Sequence, residues 1–234
     1  MESNSPQPSR ARLGPVGLFT GAYLLAAAVA AGVSGNLEFV FYLVVMLLLV
    51  AGVLVLHQRV GLTSGALWAL SIWGAMHMAG GLVPVPESWP IDGEIRVLYS
   101  WWILPRSTGG GWLKYDHVTH AYGFGVATWV CWQALRGVVG PLRPTFGLMI
   151  LAALAGLGLG ALNEVVEFIA TLIAHTNVGG YVNTGLDLIA NTVGAAIAAT
   201  IIYLHGRCGV QASPSGASAN VHRESSSFTG KAAP

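Results

Sequence analysis

Six apolar stretches, each near twenty residues or longer, dominate this chain: residues 13–33, 39–58, 62–83, 116–136, 145–174 and 183–204. About 20 residues of helix cross the ~30 Å of bilayer hydrocarbon. Backbone polar groups in lipid must be satisfied within the segment itself, which leaves helices as the form open to such runs. The expected fold is therefore all-α, a polytopic transmembrane bundle of six spans. A mean hydropathy of +0.63 and only 9% charged residues agree with that class. The run from Leu13 to Val33 follows Arg10 and Arg12 but is too long for a signal-peptide core, so it reads as an uncleaved first span. Residues 13–206 then form one transmembrane domain. Residues 1–12 and 207–234, rich in Ser and Pro with no apolar period, read as disordered tails. No internal repeat is found, so an inverted-repeat transporter plan has no support.

The placement of charge says more than its total of +1. The 11 basic residues are scattered singly and form no stripe, which argues against nucleic-acid binding. Cys131 and Cys208 do not make a disulfide framework. With a cytoplasmic N-terminus, the inner side carries Arg10, Arg12, Arg59, Arg136, Arg143, Arg207, Arg223 and Lys231; the outer side carries Arg96, Arg106 and Lys114. That asymmetry places both termini in the cytoplasm of a multi-pass protein of the cell (inner or plasma) membrane. Loop 84–115 then faces outward. Its segment Val97–Leu104 is apolar and aromatic but too short to span, and suits the headgroup belt. A lid over an outer-leaflet site is the sharper alternative. Gly109-Gly110-Gly111 gives a joint before the fourth span.

Polar residues within the spans fall at one depth. His77 lies roughly 23 Å along an outward-running helix at 1.5 Å per residue. Asp116, His117 and His120 open the inward-running fourth span, Glu164 and Glu167 come late in the fifth, and Asn183, Asp187 and Asn191 begin the sixth. All therefore share the outer third, although the helices run in opposite directions. Spacings of three or four put each set on one helix face. The rows Ala152-Gly156-Gly160 and Ala195-Ala199 continue two of these faces with small residues, which let membrane helices approach closely. The polar faces are expected to point into the bundle.

Acids inside a bilayer are costly unless paired, protonated or metal-bound. Asp116, Glu164, Glu167 and Asp187 have no Lys or Arg beside them in the outer part of these spans; Arg136 stands at the opposite, inner end. Either some hold protons, or a divalent cation supplies the positive charge. With imidazoles nearby, zinc, iron or manganese suits the donor set better than magnesium. The candidate ligands are Asp116, His117, His120, Glu164, Asp187 and Asn191, with Glu167 or His77 as general base toward a bound water. Blander readings stand beside these. Asp116 and His120 could be a hydrogen-bonded pair at a helix start, His77 an interhelical hydrogen-bonder, and Asn183 and Asn191 glue between helices or supports for the ligands.

Three motifs carry a family resemblance: Tyr115-Asp116-His117-Val118-Thr119-His120, Asn163-Glu164-Val165-Val166-Glu167, and Asp187-Leu188-Ile189-Ala190-Asn191-Thr192-Val193-Gly194. They resemble the YjdF-type inner-membrane proteins, of unknown function, and more loosely the VanZ-like family associated with teicoplanin resistance. The likeness runs from about His77 to Leu204. It departs at His117, where relatives usually have Lys or Arg, and at residues 183–187, which lack the Trp-rich form common in YjdF-type chains. The resemblance implies a helical bundle with a shared polar site.

Two functions follow from the residues. One is a metal-assisted hydrolase or lipid-modifying enzyme acting on a membrane lipid or lipid-linked substrate at the outer leaflet. The other is an ion, proton or small-molecule transporter, against which stands the lack of a charged path to the inner half. A non-catalytic scaffold whose polar network fixes helix register is the third reading.

Overall fold

In a computed structural model, the described residues are 13–35, 37–173 and 180–211. Of the expected tails 1–12 and 207–234, residues 1–12 and 212–234 lie outside them, whereas residues 207–211 continue the last helix and are not a disordered tail. Six α-helices run in order: α1 Leu13–Ser34, α2 Leu37–Val60, α3 Ser64–Leu82, α4 Tyr115–Val139, α5 Phe146–Ile173 and α6 Tyr181–Gln211. Four of these, α1, α2, α5 and α6, are long and apolar enough to cross a membrane. The two that fall short have a physical reason for doing so. Helix α4 packs against α2, α3, α5 and α6, and it carries Asp116, His117, Thr119, His120 and Thr128 among its buried residues. Helix α3 has small or polar residues, Ala66, Ser71, Gly74 and Gly80, on its buried side. Helices wrapped by others need not be apolar all round.

Where helices meet, small residues set the separation. A Cβ on Gly194 of α6 would lie 1.9 Å from the Ala121 carbonyl oxygen of α4, so the two backbones touch there. A Cβ on Gly156 of α5 would lie 2.1 Å from Thr128 Oγ1 of α4. The two rows read from the sequence are turned inward: Ala152 and Gly156 on α5, Ala195 and Ala199 on α6, are all buried. Exposed faces carry large aliphatics instead, Leu18 of α1 and Leu48 of α2 among them, as contact with lipid tails demands.

Residues 83–114 fold as a cap, not as a loose aromatic loop. A 3-10 turn at Leu98–Ser100 leads into an antiparallel hairpin of β1, Trp102–Pro105, and β2, Gly111–Lys114. The glycines expected as a joint form its turn instead, with φ +91° at Gly109 and +68° at Gly110, a region open to glycine at little cost. Arg96 donates to the carbonyls of Pro86 and Trp89, and Trp89 stacks on Trp101 with ring centroids 4.2 Å apart. Tyr99 and Trp102 point inward and are buried, so part of the aromatic segment is cap core and not headgroup belt.

The α4–α6 contact yields a paired prediction. Gly194→Ala should destabilise the protein by about 1–3 kcal/mol or more, since the opposing atom is backbone and cannot rotate away. Gly158→Ala, which meets nothing within 4 Å, should be neutral or slightly stabilising. Unfolding midpoints of the two variants in detergent check this; equal midpoints would contradict the close approach.

Candidate metal centre

The site is assembled at the end of the bundle where α4 and α6 begin and α3 and α5 finish. Lys114 precedes the first turn of α4, and its backbone N–H donates to His117 Nδ1 at 3.2 Å. One turn further on, His120 faces inward. Its Nε2 is 3.6 Å from Asp116 Oδ1 and 3.6 Å from Glu167 Oε1. Its Nδ1 is 3.1 Å from Asn191 Oδ1 and 3.5 Å from Glu164 Oε1. One imidazole therefore touches acidic or amide groups from three helices.

Two of the acids are held in place by their own helices. Asn163 Nδ2 donates to Glu167 Oε1 at 2.8 Å, one turn back on α5. Asn183 Nδ2 donates to Asp187 Oδ2 at 2.6 Å, one turn back on α6. Gly160 opens the space for Asn191, whose Nδ2 would lie 2.9 Å from any Cβ placed there. His120, Glu164, Glu167 and Asp187 are all buried, and each offers one ligand atom within 4.8 Å of the others. Ligands about 2.0–2.2 Å from one ion lie roughly 3.5 Å apart in a tetrahedron, so a modest inward rotation would close the set on a cation.

Charge and hydrogen bonding point the same way. Among the described residues, neither oxygen of Glu164 has a hydrogen-bond donor, nor does Asp187 Oδ1, although all three are buried. A buried carboxylate oxygen without a donor or cation is expensive, and a metal ion or a proton would relieve it. Whichever His120 nitrogen took a metal, the other would keep a polar neighbour, Asn191 on one side or Asp116 and Glu167 on the other. Such support fixes ring orientation at metal sites.

The residues singled out in the sequence divide into those brought together and those set apart. His120, Glu164 and Asp187 converge; Asp116 lies against His120, and Asn191 bonds to it. Glu167, expected as a base, sits among the ligand atoms. His117 does not join: its Nδ1 is taken by Lys114 N–H, and its ring meets Trp102 edge to face with centroids 6.1 Å apart. His77 is also outside the group of four, its Nδ1 2.5 Å from the Tyr99 hydroxyl of the cap.

Two contributors escaped the sequence reading. Lys114, counted there as a loop charge, is buried, with Nζ 3.4 Å from Asp92 Oδ2 and 3.8 Å from Asp116 Oδ2, and it donates to Asn183 Oδ1. The four acids thus have one lysine against them. Its position two residues before Asp116, at a helix start, was the available signal. Tyr99, which ties the cap to α3, had none beyond its aromatic neighbours.

A family model for predicted membrane proteins, DUF2238, matches residues 16–207. The chain belongs to that family. The DUF2238 grouping includes the YjdF-type proteins, so that resemblance holds, whereas the VanZ-like one is not shown. The assignment makes this DUF2238 chain a multi-pass membrane protein and names no reaction. No curated protein and no solved structure matches it.

Lys114→Met strips Asp116 and Asn183 of their cationic partner, and breaking a buried pair costs about 3–5 kcal/mol; screening through half-exposed Asp92 puts the expected loss nearer the lower figure. A denaturation midpoint equal to that of the unaltered protein would show that the lysine is no counter-ion.

Proposed function

We propose that the protein is a metal-assisted membrane enzyme acting on a lipid or lipid-linked substrate, with zinc, iron or manganese held by His120, Glu164, Glu167 and Asp187. The observation that carries this reading is the meeting of four buried donors from three helices, three of whose carboxylate oxygens lack any hydrogen bond among the described residues. One divalent cation would offset most of the charge that Lys114 leaves unbalanced among Asp116, Glu164, Glu167 and Asp187. Bound there, it would polarise a substrate oxygen or lower the pKa of a water.

The protein's own residues have distinct parts in this scheme. Asp116 and Asn191 orient the His120 ring, while Asn163 and Asn183 steady Glu167 and Asp187. His77, tethered to Tyr99 through Nδ1, is the candidate for proton transfer at the cap end. In the six-span arrangement with both termini cytoplasmic, α3 and α4 also cross, and the site opens under the cap toward the outer leaflet of the cell membrane. The distribution of basic residues supports that orientation.

Metal analysis of protein purified without chelator tests the proposal. One zinc, iron or manganese per chain is expected, falling at least about tenfold in Glu164→Gln and Asp187→Asn. Added metal at about 100 times its Kd should raise stability on the order of 3 kcal/mol. Absence of metal in the purified protein, with an unfolding midpoint indifferent to added metal, would overturn the proposal and favour a proton-binding or structural network.

A further inference from the structure

A second feature lies on a different face of α4 and α6 from the acids. Between these helices runs an apolar trench of about 750 Å³, reaching from Trp112 and His117 at the cap end to Ile201 and Ile202. Its floor is made of small residues where the backbones touch, Ala121 and Gly125 against Gly194. Larger side chains such as Trp129 and Val193 form its walls. The stretch of α6 from Leu186 to Ile202 is roughly 24 Å long at 1.5 Å per residue, longer than the ~15 Å of one leaflet.

The two ends differ in chemistry. At the far end the lining is aliphatic. At the cap end Trp112 is 72% exposed, and the Arg106 guanidinium lies 3.6 Å over its ring, a pairing of cation and aromatic surface. His117 lines the same end; it is 93% buried, being 7% exposed, and its Nε2 has no hydrogen-bond partner among the described residues. An apolar channel with a cation and an imidazole at one mouth has the polarity of an acyl tail joined to a phosphate-bearing head.

We propose that the α4–α6 trench binds one acyl tail of a phospholipid, with the phosphate at the Arg106–Trp112 end. The assignment goes beyond the metal reading and does not depend on it, since none of the four acids lines the trench. A phosphatidylcholine bearing a diazirine on one tail, reconstituted with the full chain in nanodiscs, provides the test. After photolysis, adducts mapped by mass spectrometry should be several-fold denser on residues 117–129 and 186–202 than on the exposed faces around Leu18 and Leu48. Val193→Trp and Ala198→Trp fill the trench and should bring that excess down to the level of those faces. Leu154→Trp, on the exposed face of α5, should leave it unchanged. Arg106→Gln should lower labelling by the phospholipid several-fold but not labelling by a diacylglycerol carrying the same diazirine. Even labelling over all exposed helices, or an excess indifferent to Val193→Trp and Ala198→Trp, would overturn the proposal. The excess should persist in Glu164→Gln and after chelation, which separates its failure from failure of the metal site.

Discussion

Buried negative charge is the constraint on which this structure turns. Asp116, Glu164, Glu167 and Asp187 reach one small volume among apolar helices, where a charge without a partner is far costlier than in water. The surrounding structure answers that cost. His120 stands in the middle, Lys114 closes one side, and amides from Asn163, Asn183 and Asn191 hold acids and imidazole in position. Because these groups come from three helices, satisfying them also fixes how α4, α5 and α6 are rotated. Small residues then let the helices close to contact distance, as Gly194 against Ala121 does.

The cap belongs to the same arrangement. Lys114 is both the last residue of the hairpin and the cation beside Asp116, while Asp92 reaches the same ammonium from within the cap. Tyr99 drops from the 3-10 turn onto His77. The cap is thus bound to the acids by an ion pair from its hairpin and to α3 by a hydrogen bond from its 3-10 turn. Burial pushes the Tyr99 phenol well above its ordinary value, and the nearby carboxylates add to the shift, so it meets His77 as a neutral hydroxyl.

Much of this was legible in the sequence because acids within apolar runs are rare and their depth can be counted. The 1.5 Å rise placed Glu164, Glu167, Asp187 and His120 in one layer, and spacings of three and four residues put each set on one face. Rotation was the harder quantity. His117 is three residues before His120, yet the hydrogen bond from Lys114 N–H turns its imidazole toward Trp102. Lys114 was hidden because a lysine at a span boundary ordinarily serves as a topological charge in water, and only the hairpin's fold buries it. The segment around Tyr99 could not be read as a cap, since its contacts with α3 and α4 depend on pairing of strands over a glycine turn. The polar content of α3 and α4 remains the informative departure from a uniform apolar bundle.

X-ray absorption at the metal edge of zinc-loaded protein tests the central claim most directly, because it reads the donor atoms themselves. The account predicts a low-coordinate shell of one imidazole nitrogen and carboxylate oxygens at about 2.0–2.2 Å. A shell of water oxygens without imidazole, or one containing sulfur from Cys131 or Cys208, would contradict it.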